Sequence, residues 1–421
     1  MPIILDKNDP PIVRGIKTTG IGKKGSKPLS AELAREITND LKAGKVGPIA
    51  KGAFFAALLL KGISTDEIIL EEAFAPGTLL DPKKIINEIA PDASEFVKDI
   101  CAHVLKGGTL DVESAHRLGK FLFSVDPGDG ARGFIASALR VRYETADEYA
   151  GLLRAMEDTI EPEFRTKVPE GDPIIQLAEP FDGVDNSYLV TPLLADFIQN
   201  LGFRVVTLIG RNSGPKKGNT VSDVISELNI KPIRGNSDLA GPKPPFGRYI
   251  HQTNLSSAVD RWVEVRKQTI KRPFLSTLER FLNPAKAKIL IVSAFHPPYT
   301  EKMMTAAECS GFPSAIVIRN GLEGGMAFPL VDRPVKMLCS VQQCEGDYMR
   351  NELEILPSRL LGFEVKTDEK LTHPSVLENA RLIAQFKEKG TSGNDIFDNR
   401  VKITCKGIKK AIDWICSFSV V

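Results

Sequence analysis

The sequence contains few residues that suit a metal site or a disulfide framework. Among 421 residues there are 6 cysteines and 5 histidines. The cysteines are scattered, and only Cys339 and Cys344 lie close together, with no histidine at zinc-ligand spacing beside them. This pattern favours reduced, inert thiols over a structural zinc site or a disulfide-stapled fold. We therefore expect a cytoplasmic protein.

Long apolar runs and an excess of charge are also lacking. No stretch of about 18 apolar residues is present to span a bilayer, and Met1 to Asp6 lack the apolar run of a signal peptide. Lysine and arginine exceed the acidic residues by two, 55 against 53. A net charge this small gives no general signature of a nucleic-acid or membrane partner, so such binding would need a local patch. We expect no membrane association.

What the sequence does contain is an internal repeat in its N-terminal part. The run from Gly52 to Leu58, followed by Ser64-Thr65-Asp66-Glu67, recurs as Gly133 to Leu139 followed by Thr145-Ala146-Asp147-Glu148. The offset is 81 residues at both ends of the match. Both copies end in Ser/Thr-x-x-Glu, a capping box that opens a helix by satisfying its free amides. The pattern predicts a duplicated helical module.

Four segments are predicted along the chain. Residues 1–28 form a basic, glycine-rich lead-in that cannot bury itself and that we expect to be flexible and exposed. The first helical module covers 29–114, the second covers 115–162, and an α/β domain covers 163–421. Flexible basic segments neutralise phosphates without reading sequence. The candidate nucleic-acid-binding residues are therefore Arg14, Lys17, Lys23, Lys24 and Lys27.

After Pro162, β-rich segments alternate with helical ones. Strands are predicted at 174–177, 203–209, 288–292 and 314–318, and helices at 193–201, 220–228, 299–309, 375–389 and 407–416. This alternation predicts a largely parallel sheet with helices on both faces. Ligands in such folds usually bind at the carboxyl ends of the strands.

Several short motifs together resemble the anthranilate phosphoribosyltransferase family, also called glycosyltransferase family 3. Glu144 to Met156 resembles the end of that family's N-terminal helical domain, and Ser222 to Leu228 resembles the helix after its phosphate-binding strand. Val265-Arg266, Arg272 and Asn283-Pro284 resemble its substrate-side segment. The likeness covers residues 115 to 420, and it implies a helical domain followed by an α/β domain of the phosphoribosyltransferase type.

Within the family, the sequence is most similar to a divergent bacterial branch that is described as binding nucleic acid rather than making tryptophan. Gly20 to Gly25 before Leu29-Ser30 resembles the basic lead-in of that branch. Thr191 to Ala195 replaces the Asn-x-Ser-Thr of the enzymes. His296 to Tyr299, with Gly321 to Gly324, resembles the later loops of the branch.

The resemblance implies a pyrophosphate loop after the first strand of the α/β domain. The enzymes carry Gly-Thr-Gly-Gly-Asp-Gly there, whereas this chain has Pro180-Phe181-Asp182-Gly183-Val184-Asp185-Asn186-Ser187. One glycine remains, the proline removes an amide donor, and two aspartates add repulsion, so the loop suits a pyrophosphate poorly. Asp182 and Asp185 either hold a cation or belong to a solvated turn, and the turn is favoured. The candidate anion contacts here are Gly183, Asn186, Ser187 and Thr191.

A second candidate anion loop follows the next strand. The enzymes have Lys-His-Gly-Asn-Arg at this place. This chain keeps a glycine, an arginine and an asparagine there, as Gly210, Arg211 and Asn212, in a shifted register. Lys216 and Lys217 then precede a helix at Thr220. A basic, glycine-containing loop ahead of a helix suits an anion. An exposed loop with solvated lysines is the alternative, and the sequence does not decide between them.

The magnesium ligands of the family are the sharpest point of difference. The enzymes carry an adjacent Asp-Glu pair just after a glycine-containing strand exit. Aligning Glu323-Gly324 with the family's Asp-Gly places Gly325-Met326-Ala327 where Leu-Asp-Glu belongs. Apolar groups do not hold a hard dication, so magnesium is expected only if transferase chemistry persists. The remaining weak metal candidates are Asp182, Asp185, Asp223 and Glu323.

The substrate side offers three candidates. Arg272 fits the arginine that would meet a carboxylate in the family, and the histidine expected about ten residues before Arg266 is replaced by Ser256. His296 lies in a proline-rich loop, and Tyr299 could stack on a base or ring.

These observations favour a family member with degraded transferase chemistry that binds an anionic ligand, either single-stranded nucleic acid or a phosphorylated small molecule. The alternative is an active phosphoribosyltransferase with a changed aromatic or base acceptor. No residue is assigned a catalytic role. The resemblance implies pairing through the helical domains, and the duplicated module enlarges that surface. We therefore expect a homodimer through the helical modules, with twofold symmetry as the default.

Overall fold

The computed structural model describes residues 6, 8–20, 25–214, 216, 218–295, 297–331, 334–344, 346–365, 368 and 370–418. The chain separates into two compact units. Unit 1 comprises Met1–Met156 and Arg261–Leu278, and unit 2 comprises Glu157–Asp260 and Glu279–Val421. The division after Met156 lies near the predicted boundary at 162, but the return of Arg261–Leu278 to unit 1 was not predicted.

Helices occur along the whole described chain, in both units. In chain order they are α1 (Pro11–Thr19), α2 (Ala31–Lys42), α3 (Pro48–Lys61), α4 (Pro82–Ile89), α5 (Glu95–Leu105), α6 (Val112–Phe123), α7 (Asp129–Arg142), α8 (Ala146–Glu157), α9 (Thr191–Asn200), α10 (Val221–Glu227), α11 (Gln252–Leu255), α12 (Ser257–Asp260), α13 (Trp262–Thr269), α14 (Leu275–Leu278), α15 (Pro298–Cys309), α16 (Pro357–Leu361), α17 (Val376–Lys389) and α18 (Asp395–Cys416). Short 3₁₀ helices form at Thr65–Ala73, Pro162–Phe164, Asn236–Leu239 and Leu322–Gly324.

Unit 2 contains a single seven-stranded sheet in the described part of the chain. Its strands are β1 (Ile174–Ala178), β2 (Arg204–Ile209), β3 (Arg248–His251), β4 (Ile289–Ala294), β5 (Ser314–Arg319), β6 (Val335–Cys344) and β7 (Asp347–Ile355). They lie in the order β3-β2-β1-β4-β5-β6-β7. The first five are parallel to one another, and β6 and β7 are antiparallel additions at one edge. The predicted α/β class and the mostly parallel sheet are therefore confirmed.

Alternate residues of the central strands bury one face of this sheet. Ile175 and Leu177 of β1, with Ile289 and Ile291 of β4, belong to a core that also takes side chains from α9, α10, α17 and α18. Gln176, which points to the opposite face, donates to the carbonyl oxygen of Leu282 at 2.9 Å. This alternation is what a pleated strand imposes. Because β1 to β5 are parallel, their carboxyl ends lie at a common edge of the sheet. Among the described residues, no helix is long and apolar enough to cross a membrane.

The sequence repeat corresponds to equivalent elements in unit 1. Helices α2 and α6 have equal lengths, as do α3 and α7, and each pair is displaced by the 81 residues of the repeat. The third element differs, because the first copy forms the 3₁₀ helix Thr65–Ala73 and the second forms α8. Thr145 and Glu148 complete a reciprocal capping box, with amide-to-side-chain distances of 3.2 and 2.9 Å.

The two copies pack against each other through glycines in α3 and α7. A Cβ atom at Gly52 would lie 2.0 Å from the carbonyl oxygen of Gly130, and one at Gly133 would lie 2.0 Å from the carbonyl oxygen of Ile49. Gly52 and Gly133 are equivalent positions of the repeat, and so are Ile49 and Gly130. The same surface of each copy therefore meets the other, as in an isologous dimer built within one chain.

Part of the lead-in predicted to be flexible is instead a helix. In α1, Ile12 and Ile16 are buried, with Ile16 only 1% exposed. The two isoleucines are four residues apart and so lie on one helical face. A Cβ atom at Gly15 would lie 2.7 Å from the Ile37 side chain, so α1 packs on the first module. The lysines and glycines around this short apolar stripe concealed it in the sequence.

Candidate functional site

The strand order has its switch point between β1 and β4. From β1 the chain proceeds outward to β2 and β3, and then returns to the other side of β1 for β4 and β5. Neighbouring connections therefore diverge at the β1–β4 junction, which is where open α/β sheets bind ligands. The loops that follow β1, β2 and β5 carry most of the candidate anion and metal residues.

The loops after β1 and β2 are joined into one structure. Val184 and Asn219 form a two-way backbone bridge with N–O distances of 2.9 and 2.8 Å. Gly183 has φ of +71°, and a Cβ atom there would lie 2.4 Å from the carbonyl oxygen of Asn219. Only glycine fits this turn without strain. The single glycine left in the loop is therefore needed for its close approach to the second loop.

The carboxylate of Glu323 lies at the centre of these loops. It accepts hydrogen bonds from the backbone amides of Asp185 at 2.9 Å and Asn186 at 2.7 Å, and from the Ser187 hydroxyl at 3.0 Å. It also forms an ion pair with Lys216, whose ammonium group donates to the Gly183 carbonyl oxygen at 3.1 Å. The candidate anion contacts around Gly183, Asn186, Ser187 and Lys216 are thus brought together around an acidic side chain of the same chain.

Outer contacts hold the amides of this loop toward Glu323. The carbonyl oxygen of Asp185 accepts from the His373 amide at 3.0 Å, and that of Asn186 accepts from the Leu371 amide at 3.1 Å. These contacts satisfy the carbonyl groups of the same two residues whose amides donate to Glu323.

The Glu323 carboxyl group is held as an anion, although its environment is partly buried. Burial opposes ionisation, but the Lys216 ammonium and the amides of Asp185 and Asn186 outweigh it and lower the pKa of Glu323. Its backbone has φ of +54° and ψ of +17°, a left-handed conformation that disfavours residues other than glycine. Such a conformation costs roughly 1–3 kcal/mol and persists only where surrounding contacts stabilise it.

A second carboxyl group, Glu179, lies directly after β1 and was missed by sequence reasoning. Glu179 is 3% exposed, and its Oε1 accepts from the Thr191 hydroxyl and, at 3.0 Å, from the Met326 amide. Its Oε2 has no hydrogen-bond partner among the described residues. Burial raises the pKa of Glu179, against the smaller opposing effects of Thr191 and Met326. The hydroxyl of Thr191, a predicted anion contact, therefore donates to this buried carboxyl group of the same chain.

The positions aligned with the family's magnesium pair do not fit a magnesium ion. Met326 is fully buried at 0% exposure, and its side chain belongs to the apolar core of unit 2. Asp223 caps α10 by accepting from the Thr220 amide at 2.8 Å. Glu323 already accepts four donors, and in the described ranges no group of three or more histidine, cysteine or acidic residues could hold a metal. Asp182 is buried and Asp185 half-buried.

The remaining residues of the second anion loop are partly used within the protein. Arg211 pairs with Asp260 at 2.8 Å, and the Asn212 side chain donates to the Gly218 carbonyl oxygen at 2.7 Å. A Cβ atom at Gly210 would lie 2.5 Å from the Phe181 ring. These contacts shape the loop, and Lys216 is the residue of the loop that pairs with Glu323. Lys217 lies outside the described residues.

The candidate substrate residues fall in different units. Arg272 belongs to unit 1, where its charge contributes, after burial, to lowering the pKa of Arg140. Its neighbour Lys271, which sequence reasoning did not select, is buried, and burial followed by the positive charge of Arg140 lowers the pKa of Lys271 to about 7. Tyr299 belongs to unit 2, at the start of α15 and beneath the Lys302 ammonium. His296 lies outside the described residues.

Most of the described basic residues of the N-terminal segment are paired. Arg14 forms an ion pair with Glu36, and Lys17 pairs with Asp9 at 2.6 Å. Lys27 is exposed. Lys23 and Lys24 lie outside the described residues. Glu36 and Asp9 therefore neutralise two of the basic residues predicted to bind nucleic acid.

Comparison with known proteins gives a consistent set of relatives. No protein-family model matches the chain. Over 284 residues it is 25% identical to an uncharacterized protein of Aquifex aeolicus (strain VF5), a match that covers 67% of this chain and 82% of that protein. Over 231 residues it is 24% identical to the anthranilate phosphoribosyltransferase of Geobacillus stearothermophilus, a match that covers 54% of this chain and 66% of the enzyme. This second match spans just under two thirds of the enzyme.

Solved structures agree on the fold. The anthranilate phosphoribosyltransferase of Saccharomyces cerevisiae, in complex with PRPP and Mg, superposes with a TM-score of 0.58 at 15% identity, covering 77% of this chain and 95% of that one. The enzyme of Thermus thermophilus gives a TM-score of 0.54 at 17% identity, covering 77% and 99%. The fold is that of a phosphoribosyltransferase. Apart from the uncharacterized Aquifex protein, these relatives and solved structures are anthranilate phosphoribosyltransferases.

Proposed function

We propose that this chain is an anthranilate phosphoribosyltransferase-like protein with degraded pyrophosphate and magnesium motifs, which binds an anionic ligand without standard transferase activity. The observation that carries the proposal is that Glu323 is engaged by donors of the same chain and that Met326 is buried. The one acidic residue kept near the family's magnesium position is held by amides and by Lys216. The position aligned with the family's aspartate is a fully buried methionine.

The chemical argument concerns the leaving group. Transfer of a ribosyl group from a diphosphate needs a dication to stabilise the charge that develops on the departing diphosphate. Magnesium binds through hard oxygen ligands, and the thioether of Met326 and the methyl group of Ala327 supply none at the two aligned positions. The donors that remain, two amides, a hydroxyl and an ammonium, still suit a phosphate or carboxylate group.

The deciding measurement is pyrophosphate release from PRPP with magnesium and a panel of aromatic amines and bases. We expect no magnesium-dependent release above the protein-free rate, whereas the Geobacillus stearothermophilus enzyme with anthranilate serves as the positive control. PRPP alone should raise the melting temperature equally with and without magnesium, since ligand at ten times its Kd stabilises a protein by about 1.4 kcal/mol. Magnesium-dependent release with any acceptor would instead establish the active transferase with a changed acceptor.

A small phosphorylated molecule is favoured over single-stranded nucleic acid as the anion. The donors around Glu323 converge on one carboxylate, which is close in size to one phosphate group. Nucleic acid is supported by the exposed Lys27 but opposed by the internal pairing of Arg14 and Lys17. Measuring the melting temperature with a single-stranded oligonucleotide in place of PRPP distinguishes the two ligands. Nucleic-acid affinity falls steeply with salt through release of counterions.

A homodimer through the helical modules is proposed as the assembly. Ile68 and Leu80 in the first module are 60% and 79% exposed, which offers apolar surface to a second copy. The faces of α3 and α7 that meet within the chain are already covered, so the dimer would use other surfaces. Light scattering after size-exclusion chromatography should give twice the chain mass of 46.1 kDa. A particle with the mass of one chain at micromolar concentration would contradict the dimer.

A further inference from the structure

We propose that the Glu323 carboxylate is a built-in occupant of the anion site, and that a phosphate-bearing ligand binds by displacing it. This inference rests on the proposed function and specifies how its site is regulated. In the structure, two loop amides, the Ser187 hydroxyl and the Lys216 ammonium group meet Glu323. The protein would therefore hold its binding loops in order with an internal anion, and a ligand would have to compete with that anion.

The geometry around the two carboxylate oxygens matches what an oxyanion needs. Oε1 accepts from the Asn186 amide at 2.7 Å and the Ser187 hydroxyl at 3.0 Å. Oε2 accepts from the Asp185 amide at 2.9 Å and meets the Lys216 ammonium. Successive backbone amides with a nearby cation form a concave anion-binding arrangement, and two oxygens of a phosphate group can take the same four donors.

Glycines flank the residue that carries this carboxylate. Glu323 has a left-handed backbone and is followed by Gly324, which has φ of +85°, and by Gly325. Gly321 precedes the short 3₁₀ helix, so glycines lie on both sides of the strained residue. Such flanking glycines can absorb a change of backbone angles, and removal of the carboxylate from the loop would release the left-handed strain. Contacts with the loop are thus what keep Glu323 inward.

The other acidic groups nearby do not replace Glu323 in this role. Glu179 is buried and its Oε1 is engaged by Thr191 and Met326. Burial raises the pKa of Glu179, whereas, against burial, Lys216 and the loop amides lower the pKa of Glu323. The Asp185 side chain lies near Gly218, and a Cβ atom at that glycine would be 2.8 Å from Asp185 Oδ1. Only the Glu323 carboxylate accepts both loop amides among the described residues.

Competition by an internal anion predicts a gain of function on its removal. The apparent affinity of a site is reduced by the fraction of time that it is closed. Isothermal titration calorimetry of the full chain with inorganic pyrophosphate should therefore give a Kd at least about tenfold lower for Glu323→Ala than for the unaltered protein. Glu323→Gln should give a smaller gain, because the amide keeps the volume but loses the charge that attracts Lys216.

Two controls assign the gain to this site. Glu227→Ala removes the same charge from an exposed position at the end of α10 and should leave the Kd unchanged. Adding Lys216→Met to Glu323→Ala should abolish the gain, because the strongest donor of the site is then lost. If Glu323→Ala does not fold, Glu323→Gln carries the test.

The outcomes separate this inference from the function on which it rests. Tighter binding by the Glu323 variants supports displacement, whether or not the unaltered protein binds measurably. Unchanged binding by folded variants of a protein that itself binds pyrophosphate overturns displacement and leaves the anion-binding proposal in place. Absence of binding by every variant overturns both.

Discussion

Alanine at Gly133 is expected to lower the free energy of unfolding of unit 1 by about 3 kcal/mol, at the upper end of the usual cost of overpacking. In an ordinary helix the same change is stabilising by roughly 0.5–1 kcal/mol, because glycine loses more backbone freedom on folding. The sign reverses here because the added Cβ atom would lie 2.0 Å from the Ile49 carbonyl oxygen and 2.7 Å from its carbonyl carbon. A backbone atom cannot move aside as the end of a side chain can.

The measurement is denaturant unfolding followed by the fluorescence of Trp262, which is buried in unit 1. The chain has two tryptophans, so a Trp414→Phe background restricts the signal to unit 1. Gly52→Ala should reproduce the loss, since its Cβ atom meets the Gly130 carbonyl oxygen at the same 2.0 Å. Asn39→Ala, on the exposed side of α2, is the control for helix propensity and should be neutral or slightly stabilising. A stabilised Gly133→Ala protein would refute the close pairing of the two modules.

The repeat was visible in the sequence because its signals are local. The Ser/Thr-x-x-Glu boxes and the glycine-led apolar runs each lie within a few residues, and helix caps depend on such short spacings. The strands β1, β2, β4 and β5 were predicted for the same reason, since each is a short apolar run. The hairpin β6–β7 was missed, although most of β6 is buried. Its edge strand β7 is mostly exposed and carries charges such as Arg350 and Glu352. An exposed edge strand lacks the apolar run that marks a buried one.

The site was only partly predictable, because its central contact is not local. Glu323 lies 137 residues from Asn186, whose amide donates to it, and no spacing in the sequence links them. The residues Gly183, Asn186, Ser187 and Lys216 were selected from the loops that follow two strands, and parallel strands do bring such loops to one edge. What could not be predicted is that an acidic side chain of the chain itself occupies the donors. Glu179 offered only a weak signal, a carboxylate directly after an apolar strand.

The repeat also predicts that two buried glutamates stabilise unit 1 by the same mechanism. Glu67 and Glu148 are equivalent positions of the repeat, and both are 0% exposed. Glu67 accepts from the amides of Leu29 at 2.8 Å and Ser64 at 2.7 Å, and from Lys61 at 2.9 Å. Glu148 accepts from the amides of Leu110 and Thr145 and from Arg142. Each carboxylate thus joins the segment before its module's first helix, the capping residue and a cation of the second helix.

Alanine at Glu67 should therefore lower the free energy of unfolding by about 3–5 kcal/mol, the cost of removing one partner of a buried ion pair and leaving the other uncompensated. Glu148→Ala should cost a similar amount, whereas the exposed neighbours Asp66→Ala and Asp147→Ala should each cost less than about 1 kcal/mol. Denaturant unfolding followed by Trp262 fluorescence in the Trp414→Phe background gives the free energy of unfolding of all four variants. Equal stabilities of the Glu67 and Asp66 variants would contradict a buried, paired carboxylate.

The pH dependence of that loss follows from the ionisation of Glu67. Burial alone would raise its pKa, but the amides of Ser64 and Leu29 and the Lys61 ammonium reverse this and lower the pKa of Glu67 in the folded protein. A carboxyl group with a lowered folded pKa binds fewer protons than it does in the unfolded chain, so its contribution is complete above its ordinary pKa of about 4.5 and is lost as pH falls through the folded pKa. The stability difference between the unaltered protein and Glu67→Ala should consequently be constant near neutral pH and shrink in acid. A difference that grows on acidification would show that the side chain is buried as the neutral acid, and the shared role of the two glutamates in holding the repeated modules would then fail.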